Sequence, residues 1–411
     1  MAMRDGAGQA DRGGGSAWEV LVVFLKLGLT SFGGPIAHLG YFRNELVVRR
    51  RWIDEDGYGD LVALCQFLPG PASSQVGFAL GLLRGNGLAG GLAAWLGFTA
   101  PSALVMVACA LGASTVSGPV AEGLLHGLKL VAVAVVAQAI WGMARTLTPD
   151  RERAGIALAA VAAVVFVGGA FGQVAAIGLG AVAGLRLCRA GPAAAGDALR
   201  FPVSRRNGVV AFVLFAALFV LPPLLAAATG LPGVSLFDAF YRSGALVFGG
   251  GHVVLPLLQA EVVTPGWTTN ETFLAGYGLA QAVPGPLFTF AAYLGAVVAP
   301  APNGFAGAAI ALGAIFLPGL LLVYGMLPFR EAVGHRPNVQ AAMRGANAAV
   351  VGILGAALYD PVWTSAVFRP ADFALALAGF LALTVWKMPP WVVVAALAAA
   401  GAIGGAMGGA A

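Results

Sequence analysis

The chain contains one motif twice, first as Phe24-Leu-Lys26-Leu-Gly28, Phe32-Gly33-Gly34-Pro35 and Pro69-Gly70-Pro71. About 216 residues later the same spacing returns as Phe240-Tyr-Arg242-Ser-Gly244, Phe248-Gly249-Gly250-Gly251 and Pro284-Gly285-Pro286. Each copy places a cation, a glycine cluster and a Pro-Gly-Pro break inside hydrophobic sequence. Duplicated halves with interrupted apolar segments are typical of secondary transporters, in which the interruptions point to the substrate site.

The composition indicates a membrane protein. Hydrophobic residues make up 59% of the 411 residues, charged residues only 10%, and the mean hydropathy is +0.86. Apolar runs long enough to cross a bilayer recur along the chain, so we predict an all-α polytopic membrane protein. The net charge of +5 does not indicate nucleic-acid binding, because most arginines lie between apolar runs, where they set the topology.

The apolar segments form two similar sets with one unpaired segment between them. Because an even number of crossings followed by one extra span turns the second set upside down, we predict two inverted-topology repeats with broken or re-entrant helices. The predicted parts are a disordered tail (1–15), an N-terminal membrane repeat (16–188), a cytoplasmic linker (189–207), an unpaired transmembrane helix (208–229) and a C-terminal inverted repeat (235–411).

The arginines predict the orientation. If the first two segments of each repeat enter and return, nearly all loop arginines, including the cluster from Arg43 to Arg51, fall on one side. Positive loops mark the cytoplasm, so we predict a multi-pass protein of the inner membrane with its N-terminus cytoplasmic and its C-terminus outside. Whether these segments re-enter or cross stays open.

Lys26 and Arg242 occupy the same position in the two copies, two residues after Phe24 and Phe240. A charge at mid-membrane costs about 2.5–3.5 kcal/mol even on insertion scales. We therefore predict that the two cations form a symmetric pair facing a central anion site. The alternative is that these long side chains extend to the membrane interface.

The Pro-Gly-Pro sites are predicted to interrupt their helices, because proline removes a backbone donor and glycine permits a bend. A half-helix that begins after such a break presents N–H groups and a positive dipole end to an anion. A purely structural kink is the alternative. The residues predicted to bind the anion around the breaks are Gly70, Ser73, Ser74, Gln66, Gly285, Thr289 and Gln281.

Two further sets of residues are candidates for the substrate site. Lys129 and Arg344 lie near the start of the fourth segment of each repeat. The glycine clusters indicate either tight turns beside the substrate or close helix packing. The predicted glycines are Gly33, Gly34, Gly249 and Gly250.

Titratable residues near the motifs are candidates for a coupling proton. The alternative is an interfacial charge or a histidine with satisfied hydrogen bonds. These candidates are Glu45, Glu261, His38 and His252.

Three single cysteines (Cys65, Cys109 and Cys188) indicate buried thiols rather than a disulfide or metal site. No phosphate-binding loop or catalytic motif is found, so no cofactor, metal or enzymatic activity is predicted.

Several of these motifs resemble those of the chromate ion transporter family. In the first half they are Phe24–Pro35, Arg51-Trp52-Ile53-Asp54 and Gln66–Pro71, and in the second half Phe248–Leu257 and Gln281–Pro286. The resemblance covers nearly the whole chain, as in long-chain, two-domain members. It implies export of chromate from the cytoplasm, chromate resistance, and an energy source in the membrane potential or a proton gradient.

The residues and the resemblance together predict alternating access around a tetrahedral oxyanion, with the lipid bilayer and a coupling proton as further partners. Sulfate has the same shape as chromate, and no motif excludes it or another oxyanion. An anion channel on the same architecture and a transporter of a neutral or cationic solute are the alternatives. An intramembrane enzyme would need acid/base or metal-ligand pairs that the sequence does not offer. A homodimer stays open.

Overall fold

The computed structural model describes residues 15–32, 34–113, 118–167, 169–188, 201–248, 251–299, 301–330 and 336–408. Most of the predicted tail and linker lies outside these ranges, as do the predicted site residues Gly33, Gly249 and Gly250. All regular secondary structure in the described ranges is helical.

Within the described residues, eight α-helices belong to the first repeat. They are α1 (Ala17–Thr30), α2 (Gly34–Phe42), α3 (Glu55–Phe67), α4 (Ala72–Arg84), α5 (Leu88–Ala113), α6 (Pro119–Leu147), α7 (Arg151–Val167) and α8 (Gly169–Leu187). The side chains of Ser16 and Asp54 cap α1 and α3 by accepting backbone N–H groups, which satisfies donors that each helix start leaves unpaired. Pro69-Gly70-Pro71 separates α3 from α4.

The unpaired helix comes next along the chain, and the helices of the second repeat follow it. They are α9 (Arg205–Thr229), α10 (Pro232–Ala245), α11 (Val254–Leu258), α12 (Asn270–Ala280), α13 (Phe290–Val297), α14 (Gly304–Met326), α15 (Pro337–Ala357), α16 (Pro370–Thr384) and α17 (Pro390–Gly408). Helix α9 begins three residues before the predicted 208, because Ser204 caps it by accepting from the Asn207 N–H. Pro284-Gly285-Pro286 lies between α12 and α13.

The helices divide into long and short ones. Among the described residues, six are long and apolar enough to cross a membrane: α5, α6, α9, α14, α15 and α17. Helices α1, α3 and α4 have 14, 13 and 13 residues. At 1.5 Å per residue they are about 20 Å long, shorter than the roughly 30 Å hydrocarbon core. The apolar stretch that contains the first motif is therefore divided into shorter helices, with α1 ending at Thr30.

A π-helix occurs at the same place in both repeats. Arg43–Arg49 continues α2, and Gln259–Val263 continues α11. The matched carboxylates Glu45 and Glu261 lie on these π-helices. Such local widening is often found at functional positions, because it redirects side chains that a regular helix would point elsewhere.

Helices of each repeat pack against helices of the other repeat. Helix α6 of the first repeat packs against α16 and α17 of the second, and α15 of the second packs against α7 and α8 of the first. Glycines permit this close approach: Gly123 faces Gly401, and Gly345 faces Gly180 and Gly184. Within each repeat the first helix packs on the fifth, α1 on α5 and α10 on α14. The predicted all-α, two-repeat membrane fold with broken helices is confirmed.

Candidate substrate site at the crossing of the repeats

Two reciprocal backbone hydrogen bonds join the breaks of the two repeats. The Gly70 N–H donates to the Val247 carbonyl at 2.7 Å, and the Gly285 N–H donates to the Ser31 carbonyl at 2.9 Å. Ser31 and Val247 are repeat equivalents, each directly before the Phe-Gly-Gly motif. Each break therefore contacts the end of the other repeat's first helix, and both breaks lie where the repeats cross.

Both breaks require glycine for two reasons. The φ angles are +118° at Gly70 and +99° at Gly285, a region that residues with a Cβ rarely adopt. A Cβ at Gly70 would lie 2.9 Å from the Gly319 Cα, and one at Gly285 would lie 2.7 Å from the Ser102 Oγ. Gly319 and Ser102 each follow a matched helix proline, Pro318 in α14 and Pro101 in α5. The breaks are thus packed against matching positions of α14 and α5, each directly after the proline inside that helix.

The half-helix after the first break begins with buried polar residues. Ser73, Ser74 and Gln75 form the first turn of α4. The Gln75 Nε2 donates to the Pro69 carbonyl at 2.9 Å and to the Gly319 carbonyl at 3.0 Å, so this amide joins the first break to the second repeat. In the second repeat, the Thr289 hydroxyl donates to the Pro286 carbonyl at 2.9 Å within a short 3₁₀ turn.

Several buried hydroxyls close to the crossing have no described partner. These are the hydroxyls of Ser31, Ser74 and Thr99. His38 is almost fully buried, with its Nδ1 3.4 Å from the Ser73 Oγ. Buried donors without a partner are costly in a protein interior and are available to a bound anion. Ser31 and Thr99 were not predicted, because a single hydroxyl residue in an apolar segment gives no signal in the sequence.

A small cavity borders the crossing and is lined by both repeats. Its walls include Gly34 from the first repeat and His252, Gln281 and Gly285 from the second. The His252 Nδ1 and the Tyr277 hydroxyl are 2.7 Å apart, and the Gln281 Nε2 has no hydrogen-bond partner in the described ranges. The cavity volume of about 20 Å³ has room for about one water molecule. Gln66, the repeat equivalent of Gln281, is exposed near the end of α3.

The predicted cation Lys26 lies in a cluster rich in positive charge. Its Nζ is 3.8 Å from the Glu45 carboxylate, which also accepts hydrogen bonds from Arg49 and Arg50 at 2.9 Å each. The Lys26 side chain is 55% exposed, whereas that of Glu45 is 9% exposed. Three cations thus share one buried carboxylate, which leaves this cluster with excess positive charge.

The equivalent cation Arg242 lies in a cluster in which carboxylates outnumber cations. Its Nη2 is 3.0 Å from the Asp238 carboxylate and 3.1 Å from the Glu261 carboxylate. One Asp238 oxygen and the Arg242 Nε have no hydrogen-bond partner in the part of the chain that the structure describes. The ion pair Lys26–Glu45 of the first repeat has an equivalent in Arg242–Glu261 of the second. Asp238 has no charged equivalent, because the matching residue of the first repeat is Val22. Asp238 was not predicted, although its position four residues before Arg242 could have indicated it.

The second predicted set lies on α6 and α15. Lys129 is buried, with its Nζ 5.6 Å from the centre of the Phe368 ring. Its neighbour Leu128 contacts Gly278 of α12, so α6 borders the helix that leads to the second break. Arg344 instead lies where α15 crosses α8, next to the contact between Gly345 and Gly184.

These features define the class of the protein. The chain is a helical membrane protein of two repeats whose broken helices meet at their crossing, an architecture typical of secondary transporters.

Comparison with known proteins identifies the family. The chain matches the family profile described as "Chromate transporter" over residues 18–185 and 234–402. It is 30% identical over 393 residues to the "Chromate transport protein" of Pseudomonas aeruginosa, covering 93% of this chain and 90% of that protein. It is 29% identical over 392 residues to the "Probable chromate transport protein" of Synechococcus elongatus, covering 91% and 93%. The chain belongs to the chromate transporter family.

A shorter relative supports the division into repeats. An uncharacterized transporter of Bacillus subtilis, YwrA, is 28% identical over 172 residues, which cover 40% of this chain but 92% of the relative. A protein about the size of one repeat thus matches this chain. No solved structure matches it.

Proposed function

We propose that this protein exports chromate from the cytoplasm by alternating access and so confers chromate resistance. The observation that carries the proposal is the reciprocal pair of backbone bonds, Gly70 to Val247 and Gly285 to Ser31. They join each helix break to the end of the other repeat's first helix, so that both breaks lie at the contact between the repeats together with the N-terminus of the half-helix α4. Such a point suits an anion, because backbone N–H groups and helix dipoles favour negative charge.

Each half of the site contributes different groups. Ser73 and Ser74 at the start of α4 are donors from the first repeat, and the unpartnered Gln281 amide is a donor from the second. Lys26 and Arg242 contribute positive charge from equivalent positions. Because both are held by carboxylates, the anion competes with Glu45 and Glu261 for them.

Alternating access follows from the pseudo-symmetry. When one reciprocal bond breaks and the other persists, the crossing opens to one side of the membrane. When the first bond forms again and the second breaks, the crossing opens to the other side. With the N-terminus cytoplasmic, the positive Lys26 cluster faces the side from which the anion leaves. An inside-negative potential favours outward movement of two negative charges by about 4.6 kcal/mol per 100 mV.

A coupling proton has its best site beside Arg242. Asp238 and Glu261 share this one cation, and two close carboxylates with a single positive partner favour protonation of one of them. Protonation weakens the hold of the carboxylates on Arg242 and leaves it free for the anion. Glu45 is less suited to this role, because three cations favour its charged form.

The test is chromate uptake into inside-out vesicles under an imposed potential, with sulfate as competitor. We expect saturable uptake by wild type and a loss of at least tenfold in Lys26→Ala and Arg242→Ala at equal protein levels. Stronger competition by sulfate than by unlabelled chromate would make sulfate the substrate. Uptake that does not saturate and shows no counterflow would indicate a channel, and normal uptake by both variants would refute the cation pair.

A further inference from the structure

A long apolar groove lies on the surface of the first repeat, away from the crossing. It has a volume of about 770 Å³ and runs between α7 and α8. Buried Ile156 and Ala160 form its floor, whereas Leu179 and Val182 on its walls are more than half exposed. On α7 it extends from Arg151 to Ala163, about 18 Å at the helical rise. Its length and apolar walls fit an extended hydrocarbon chain.

One end of the groove is strongly cationic. Arg151 and Arg186 line this end, and both side chains are exposed with no partner in the described parts of the chain. Arg344 also lies near, within electrostatic range of Cys188 at the end of α8. This end therefore carries several guanidinium groups at the point where the apolar walls stop.

The nearby carboxylates do not neutralise this end. Asp150 accepts a hydrogen bond from the Arg153 Nε at 2.7 Å, and this bond holds the pKa of Asp150 below its usual range. The Asp150 charge is thus balanced by Arg153. Among the described lining residues, Glu152 is the one carboxylate, and it faces two arginines, Arg151 and Arg186. The net charge available to a ligand is positive.

The opposite end of the groove is apolar. Ala163 and Ala176 line it, and no charged residue is among the described lining residues there. The groove thus combines a cationic rim with an apolar trough, which is complementary to an anionic amphiphile. The equivalent helix pair in the second repeat differs, because Arg369 at the start of α16 is 3.3 Å from the Asp372 carboxylate.

We propose that the groove between α7 and α8 binds one anionic phospholipid, with its phosphate at Arg151 and Arg186 and an acyl chain along the trough. Basic sites between transmembrane helices on the cytoplasmic side bind anionic headgroups in this way. A helix of a second copy would fill the trough but would leave the two arginines without counter-charge. The lipid therefore fits both parts of the groove.

The test compares lipid retention by purified full-length protein in native mass spectrometry, with phosphatidylglycerol and phosphatidylcholine offered in equal amounts. We expect wild type to retain one phosphatidylglycerol in preference to phosphatidylcholine. Each of Arg151→Gln and Arg186→Gln should lower this preference about fivefold, the effect of one basic residue near an anionic surface. Arg206→Gln, at the start of α9, is the matched control and should leave the preference unchanged.

A second variant tests the trough without altering charge. Ala159 lines the groove and is exposed, so Ala159→Phe should fill the trough and reduce retention of both lipids. Ala154→Phe, at an exposed position of α7 outside the lining, is its control. Equal retention of the two lipids by wild type would overturn the proposal. An unchanged preference in a variant that combines Arg151→Gln with Arg186→Gln would overturn it as well. A wild-type dimer that Ala159→Phe dissociates would assign the groove to a second copy instead.

Discussion

The substitution Gly70→Ala tests whether the crossing of the repeats is the transport site. Gly70 has φ +118°, and a Cβ there would lie 2.9 Å from the Gly319 backbone and 3.1 Å from the Gln75 amide. The backbone strain costs about 1–3 kcal/mol. The overlap adds about 1–3 kcal/mol, because the opposing atom is a backbone Cα that cannot rotate away.

Gly87→Ala separates the two effects. Gly87 has nearly the same φ, +116°, but a Cβ there would meet no atom within 4 Å. It should show the strain alone, about 1–3 kcal/mol, with normal transport. Gly70→Ala should show both terms, and displacement of its N–H from the Val247 carbonyl should reduce chromate flux at least tenfold.

The assay measures thermal unfolding of the purified variants together with chromate uptake in vesicles at matched protein levels. Gly70→Ala should unfold at a lower temperature than Gly87→Ala, and chromate uptake at matched protein levels should fall in Gly70→Ala but not in Gly87→Ala. If Gly70→Ala transports and unfolds like Gly87→Ala, the close packing of the first break against Gly319 does not matter for transport, and the reasoning is refuted.

Three further predictions concern side chains near the crossing. Gln75→Leu removes the donor of two carbonyls, including that of Gly319, and should destabilise the protein by about 1–3 kcal/mol in thermal unfolding; an unchanged stability would contradict this. Asp238→Asn leaves Arg242 with one carboxylate and should make chromate uptake less dependent on external pH; an unaltered pH profile would exclude Asp238 from proton coupling. Glu45→Gln leaves its three cations unbalanced and should lower stability more at low than at high salt, which denaturation at two ionic strengths would check.

The sequence predicted which residues belong to the candidate site better than it predicted which residues they contact. The repeat, the breaks at Gly70 and Gly285 and the cations Lys26 and Arg242 could be identified because proline, glycine and charge are unusual in apolar segments. The sequence could not predict that each cation is paired with the matched carboxylate of its own repeat. That pairing depends on how each π-helix turns toward the first helix of its repeat.

The contact partners of other residues had no signal in the sequence, although Gln75 itself could be identified as a polar donor after the first break. The Gln75 amide contacts the Gly319 carbonyl across 244 positions of sequence, and Ser31 receives the Gly285 N–H across a comparable distance. Both contacts join residues of different repeats, which no local feature of the sequence brings together. The groove between α7 and α8 likewise depends on how two helices rich in alanine, glycine and valine pack, because such sequences do not indicate which residues leave an open trough.

The sequence by itself determined that this is a duplicated helical membrane protein with interrupted segments, because hydropathy, proline and glycine act locally on the chain. The tertiary structure decided which repeat each segment packs against. Shape and small-residue contacts determine the reciprocal bonds at Gly70 and Gly285. They also determine that α7 and α8 pack against the second repeat, and that α16 and α17 pack against the first. In an apolar surrounding the hydrophobic pattern cannot distinguish one helix neighbour from another, so only the packed structure does.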